Sequence, residues 1–346
     1  MSLARRLPEL LVPALLVLAT ALLGLAVSSY LQAYFLDTLI KVAIVVGLYV
    51  FIGNSGVLSF GQVSFVAVGA WTAGVLTVPR DQKLIAMPGL AHFLVTTNVG
   101  NIASLAVAAA IGAVFALAVG LPLMRLSGLA AGIATFAVLE ITNNILNYET
   151  RIGPALNNFS SVPPTTGMWQ AAIGGLICIV VAYAYQRTRF GRMLRATRED
   201  PAAAAAAGIS IYRQRLLAFT LAGALAGFAG GLYVHLQPLS VNNLYLDLTF
   251  ITLAMLVVGG AGSLLGAVVG ALAVNGIYSF FSAAVNTVDV FGWHLTVPAG
   301  TAEIVLGVLM TITLILRPGG ITGGREFSLP RRRRPVADLE KARATT

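Results

Sequence analysis

Residues 101–124, NIASLAVAAAIGAVFALAVGLPLM, carry no charged side chain over a length that crosses a bilayer core. An α-helix rises about 1.5 Å per residue, so about 20 such residues span about 30 Å of hydrocarbon. Apolar runs of similar length recur at 11–29, 33–53, 57–78, 127–147, 169–185, 215–235, 248–262, 263–282 and 300–317. Lipid offers backbone N–H and C=O groups no partner, so each crossing is expected to be helical. The chain therefore reads as all-α, a polytopic transmembrane helix bundle of about ten spans. Within 248–282 the stretch VVGGAGSLLGAVVGALAV fits two tightly joined helices or one long helix with a glycine-rich break.

Composition agrees. Of 346 residues, 58% are hydrophobic and 10% charged, against about 25% charged in soluble chains. The single cysteine, Cys178, excludes an intrachain disulfide and reads as a small buried hydrophobe. The first run follows Arg5 and Arg6 and reads as a signal anchor rather than a cleaved leader, because further spans follow closely.

Basic residues test the map independently. With the N-terminus in the cytoplasm and one crossing per run, 18 of the 22 Lys and Arg fall on the cytoplasmic side. Arg80, Lys83 and Arg151 fall outside, and Lys41 lies within a run. This is the positive-inside pattern, and moving the count by one span would destroy it. The expected organisation is a cytoplasmic N-terminus at 1–10, a transmembrane domain at 11–317 with a loop at 186–214, and a basic cytoplasmic tail at 318–346, with both termini inside. The tail, LPRRRRPVADLEKARATT, reads as a solvated end that fixes orientation or as a contact for anionic membrane lipid.

Motifs for catalysis are missing. No G-x-x-x-x-G-K-[ST] phosphate loop occurs, and His92, His235 and His294 lack metal-ligand spacing. No metal or cofactor is expected in this chain. The basic stretch at 187–215 lies between spans without an interleaved aromatic platform, which argues against nucleic acid. Lys41, Asp37 and Glu303 read as residues near span ends that snorkel to the interface, and His235 as an interfacial packing residue.

Polar groups inside spans are expensive and so informative. Glu140, Asn143, Asn144 and Asn147 share one helical face at i, i+3, i+4 and i+7. That face serves either as a hydrogen-bond seam between helices or as the wall of a translocation path. The stretch VFIGNSGVLSFGQVSFVAVGAW, 50–71, mixes Gly53, Gly56, Gly61 and Gly69 with Asn54, Ser55, Ser59, Gln62 and Ser64. Glycine with polar neighbours marks a broken helix lining a cavity, a recurrent arrangement at the centre of transporters. Gly53, Asn54, Ser55, Gly56, Ser59, Gly61, Gln62, Glu140, Asn143 and Asn144 are therefore the candidate path residues.

The stretch RTRFGRMLRATREDPAAAAAAGISIYRQR, 187–215, sets seven arginines around a six-alanine block. Within it Glu199 and Asp200 suit a helix N-terminus, Pro201 the first turn, the alanines the interior and Gly208 the end. A narrow polyalanine helix buries little of its own surface and suits a groove on another protein. A passive ordered loop is the alternative.

Five blocks, in order, resemble the permease subunits of branched-chain amino-acid ABC importers, closest to the LivM type: GNSGVLSFGQVSFVAVGAWTAG, RTRFGRMLRATREDPAAAAAAGIS, LLAFTLAGALAGFAGGLY, LTFITLAMLVVGGAGSLLGAVVGA and LILRPGGITGG. They cover about residues 43 to 323. The resemblance implies a subunit of the bacterial inner membrane, itself no enzyme, that imports solute by ATP-driven alternating access. It further implies a LivH-type second permease, two ATPase subunits that hold ATP and Mg, and an extracytoplasmic solute-binding protein. By that analogy Glu199 to Gly208, including Pro201, Ala203 and Ala204, is the coupling helix. Two departures stand out. The alanine run lacks the larger residues usual there, and SFGQ carries Gln62 where relatives often have histidine. Urea, short amides or other amino acids are alternative substrates. A secondary transporter using Glu140 to carry an ion, or a passive channel, is the reading from outside this class.

Overall fold

The computed structural model describes residues 8–155, 159, 161–241, 244–285, 288–290, 293–295, 297, 298, 300–324 and 326. The expectations for Arg5 and Arg6 and for the arginine-rich tail beyond 326 lie outside these residues. In chain order the helices are α1 (Pro8–Ala26), α2 (Ser29–Ser55), α3 (Gln62–Thr77), α4 (Arg80–Ala86), α5 (His92–Thr96), α6 (Asn101–Leu123), α7 (Gly128–Tyr148), α8 (Met168–Arg187), α9 (Arg189–Glu199), α10 (Pro201–Ala206), α11 (Ile211–Val234), α12 (Leu246–Gly259), α13 (Leu264–Ala284) and α14 (Thr301–Leu316). A hairpin of two three-residue strands, β1 (Val288–Val290) and β2 (Trp293–Leu295), lies between α13 and α14.

Each of the ten apolar runs becomes a helix, but not each becomes a full-length span. Among the described residues seven helices are long and apolar enough to cross a membrane, or eight if α3 and α4, bent by 120° at their junction, count as one. Helices α12 and α14 are apolar but shorter. The count of ten thus describes apolar helices, and glycine sets the ends of two of them. Gly56 closes α2 in the left-handed conformation at φ 70°, and residues 57–61 lie outside any helix before α3 begins. Gly260, at φ 115°, ends α12, so 248–282 folds as two helices joined by a tight turn.

Helix α2 runs through the middle of the bundle, with every residue from Thr38 to Ser55 buried. Helix α11 packs against α3 and α6 through small residues that let backbones touch. A Cβ at Gly69 would strike the Gly227 carbonyl, one at Gly230 the Val66 carbonyl, and one at Gly227 the Ala108 carbonyl. Such close approach is how lipid-embedded helices gain van der Waals contact where no hydrophobic force separates protein from solvent. Outward-facing Leu121, Ile133, Ile177 and Ile312 remain exposed, as lipid-facing side chains do.

One end of the bundle gathers the start of α1, the end of α2, α9 and α10, and the chain after α14. Glu9 pairs with Arg187 across α1 and α8. The opposite end carries α4 and α5, where Lys83 is buried and donates to the carbonyls of Leu94 (2.9 Å) and Thr97 (2.5 Å). His235 is buried at the same end, bonded to the Gly231 carbonyl (2.7 Å) and Thr77 Oγ1 (3.0 Å), and ties α11 to α3.

Candidate coupling and translocation site

Helix α10 is built by its ends. Asp200 accepts from the Ala202 and Ala203 amides at 2.9 and 3.0 Å, and Pro201 occupies the first turn. An N-cap of this kind is worth about 1 kcal/mol. At the other end the Ile209 amide donates to the Ala204 carbonyl (3.0 Å), and Gly208 turns the chain at φ 80°. Ala204 packs inward, whereas Glu199, Pro201, Ala203 and Gly208 are exposed. No atom lies within 4 Å of the place a Gly208 Cβ would take. The helix thus stands off the bundle with a bare backbone face.

Its neighbour α9 is gripped tightly. Thr188 caps it through the Gly191 amide, and Leu194 and Thr197 are buried beneath it. Arg195 donates from Nε to Asn54 Oδ1 (2.8 Å) and from Nη2 to Gln186 Oε1 (2.9 Å). Arg198 donates to the Gly53 carbonyl (2.6 Å). Tyr49 donates to the same Gln186 oxygen (2.7 Å) and reaches Glu326 (3.4 Å). Glu326 in turn accepts from the Leu264 amide (2.8 Å), placing a carboxylate at the positive start of α13. Helices α2, α8, α9 and α13 and the post-α14 segment therefore meet in one charge-assisted network.

From Arg317 to Gly324 the chain folds back onto the bundle. Gly320, Gly323 and Gly324 adopt positive φ and fold it back. The Ile321 and Thr322 amides then donate to the Val258 and Gly259 carbonyls at 2.8 and 3.1 Å.

The candidate path residues separate into two groups. Gly53, Asn54, Ser55 and Gly56 lie at the α9 end of α2, bound up with the arginines, rather than at its centre. From there residues 57–61 cross to α7: the Phe60 amide donates to Thr135 Oγ1 (3.2 Å), and Gly61 abuts the Thr135 carbonyl. Ser59, Gln62 and Ser64 are buried, and their side-chain polar atoms have no partner among the described residues.

Glu140 lies five residues beyond Thr135 on α7. It accepts from Tyr245 and from Asn144 Nδ2 (2.9 Å), while Asn147 donates to Asn143 (3.3 Å). This face links α7 to the approach to α12. It does not meet α10.

Tyr49, Gln186, Arg195, Arg198 and Glu326 escaped the sequence reading. The i, i+3 spacing of Arg195 and Arg198 on one face of α9 was the available signal. Among the described residues no group of His, Cys, Asp and Glu could hold a metal.

A sequence model of the family described as "Branched-chain amino acid transport system / permease component" matches residues 30–314. The chain belongs to that family. LivM of Escherichia coli, a high-affinity branched-chain amino acid transport system permease protein, is 26% identical over 270 residues, 68% of this chain and 60% of LivM. A probable branched-chain amino acid transport permease, LivH of Methanocaldococcus jannaschii, is 25% identical over 283 residues, 78% of this chain and 84% of that relative. The nucleoside ABC transporter permease NupC of Lactococcus lactis is 28% identical over 205 residues, 56% of this chain and 62% of NupC. The chain thus spans about 60% of the length of the LivM it matches. No solved structure matches it.

Its seven or eight membrane-length apolar helices fit a multi-pass permease component of that family. In this permease the reading of Asp37 and Lys41 as span-end residues needs correction. The apolar run starts at residue 33, but α2 begins at Ser29, which puts Lys41 about 18 Å into the helix. Lys41 is 5% exposed and pairs with Asp37 at 2.7 Å, so it cannot snorkel.

Proposed function

We propose that this permease is the LivM-type half of an importer that moves branched-chain amino acids inward. A LivH-type permease pairs with it, two ATPase subunits hydrolyse ATP, and an extracytoplasmic solute-binding protein delivers substrate. Both chain ends and α10 face the cytoplasm. One observation carries the reading: a capped, bare-backboned helix, α10, stands off the bundle while its neighbour α9 is bolted to the end of α2. A displacement of α10 by the ATPase then reaches α2 through Arg195 and Arg198.

Only interactions that differ between two conformations can drive such a cycle. The α9 contacts join separate helices, so a movement of α9 relative to α2 would change them. The unpartnered Ser59, Gln62 and Ser64 groups support a hydrated path beside the 57–61 crossing, since buried polar atoms are otherwise satisfied. The Glu140 face, with Asn143 and Asn144, lines the neighbouring stretch. Kinship to a nucleoside permease favours a second substrate class, which the same experiment addresses.

The test is ATP-energised uptake by the reconstituted transporter, with leucine, urea and uridine run in parallel. Wild-type protein accumulates leucine. Arg195→Ala continues to hydrolyse ATP but accumulates leucine about tenfold more slowly, a loss of about 1.4 kcal/mol in coupling. Arg195→Lys does not restore uptake, because a single ammonium cannot reproduce the guanidinium fork between Asn54 and Gln186. Accumulation of leucine without ATP, or full uptake by Arg195→Ala, contradicts the mechanism. Accumulation of urea or uridine alone replaces the substrate and keeps the permease.

A further inference from the structure

Asp37, Thr38, Lys41 and Asn275 form a closed network inside the bundle. Lys41 Nζ donates to Asp37 (2.7 Å) and to Asn275 Oδ1 (3.0 Å). Asn275 Nδ2 lies within hydrogen-bond distance of Asp37 (3.0 Å) and Thr38 (2.7 Å). The Lys41 ammonium also sits 5.3 Å from the centre of the Tyr278 ring. Ionised groups in a membrane span are retained where they do work, and they face protein or water rather than lipid.

This network borders a cavity of about 500 Å³ between the start of α2, the end of α11, the start of α12 and the end of α13. All four of those ends are the ones remote from α10. Lys41 is the deepest α2 residue on its wall, and Tyr34, Tyr233, Asp247, Tyr278 and Ser282 stand around it. The volume is within the range of about 300–1,000 Å³ usual for small-molecule sites.

The charges discriminate among ligands. Asp247 is exposed and carries no ion pair among the described residues. Asp37 and Asp247 set two carboxylates against the one ammonium of Lys41, whose third N–H is left over from Asp37 and Asn275, and the tyrosine faces beside the carboxylates suit an ammonium group. An inorganic or organic anion meets two carboxylates, and a simple cation meets Lys41. A ligand bearing both signs matches both walls, and Leu248 and Ile251 offer apolar surface for its side chain.

We propose that this cavity is a binding site for a zwitterionic α-amino acid, its ammonium toward Asp247 and Asp37 and its carboxylate toward Lys41. The site rests on the reading that the α10 end is cytoplasmic and that amino acids are carried, and it then opens outward.

Cys178 is fully buried and is the chain's sole cysteine, so Ser282→Cys adds one reachable thiol to this subunit. The assembled transporter is labelled in right-side-out vesicles, without ATP, by a membrane-impermeant methanethiosulfonate, with the unsubstituted transporter as background. Leucine is expected to slow labelling by about tenfold at about ten times its Kd, the factor being 1 + [L]/Kd. Uridine is expected to leave the rate unchanged.

In the Ser282→Cys, Asp37→Asn, Lys41→Met transporter the thiol still labels, but leucine no longer protects it. Neutralising both partners together leaves no orphaned charge, so the helix pairing survives. The site is overturned if Ser282→Cys resists labelling, if leucine fails to protect, if uridine protects equally, or if the neutralised transporter is protected as before. ATP is absent from this assay, so a failure of ATP-driven uptake appears in the transport experiment and not here.

Discussion

Gly208→Trp is expected to cut ATP-driven leucine uptake by about tenfold or more, a loss of at least about 1.4 kcal/mol in coupling. Two effects combine. Gly208 sits at φ 80°, where an L-residue costs about 1–2 kcal/mol, so the end of α10 is strained by any large side chain. The indole would also project from a face that has no neighbour in this chain, into the space an ATPase groove would occupy. Gly208→Asn separates the two, since asparagine tolerates the left-handed conformation and is small. It is expected to keep most of the uptake. A secondary transporter or a passive channel would be indifferent to both substitutions, and near-normal uptake by Gly208→Trp would favour those readings. Measuring the amount of permease in the membrane for each variant ensures that uptake is compared per assembled complex.

Gly230→Leu is expected to remove the permease from the membrane altogether. Its Cβ would meet the Val66 carbonyl and the Ala70 amide, backbone atoms of α3 that cannot rotate aside. Overpacking an ordinary core costs about 1–3 kcal/mol because side chains can shift. Here α11 would have to separate from α3, which also carries the Gly69–Gly227 contact, and the cost lies at or above that range. Size-exclusion profiles of the tagged, detergent-extracted protein should show loss of the monodisperse peak. Gly307→Ala is the matched control. Gly307 lies on an open face of α14 with nothing within 4 Å of its Cβ position, and alanine there gains about 0.5–1 kcal/mol from helix propensity. Equal behaviour of the two variants would contradict glycine-mediated packing at the α3–α11 contact.

The spans were legible because each obeys a local rule. Residues 101–124 fold as α6 over Asn101–Leu123, since an uncharged run in lipid has no choice but helix. Gly208 was readable for the same reason: cap, proline, alanines and glycine are neighbours in sequence. What failed to show depends on residues far apart. Lys41 looked like a span-end residue because its partner Asn275 lies 234 positions away and because the hydropathy of α2 begins later than its helix. Glu326 looked like part of a basic tail, yet it caps α13 across 62 residues once three glycines turn the chain. The break after Gly53 was visible as a break. Its position at the α9 end was not, because Arg195 and Arg198 set it from another loop.

The central claim is that α10 is the element an ATPase subunit grips. Benzoylphenylalanine placed at Ala205, an exposed position of α10, tests it in the assembled transporter. Irradiation followed by mass spectrometry of the adducts is expected to identify the ATPase subunit as the main partner, with a yield that changes when ATP is added. Cross-links confined to lipid, to the permease itself or to water, with the ATPase bound in the same complex, would contradict the account.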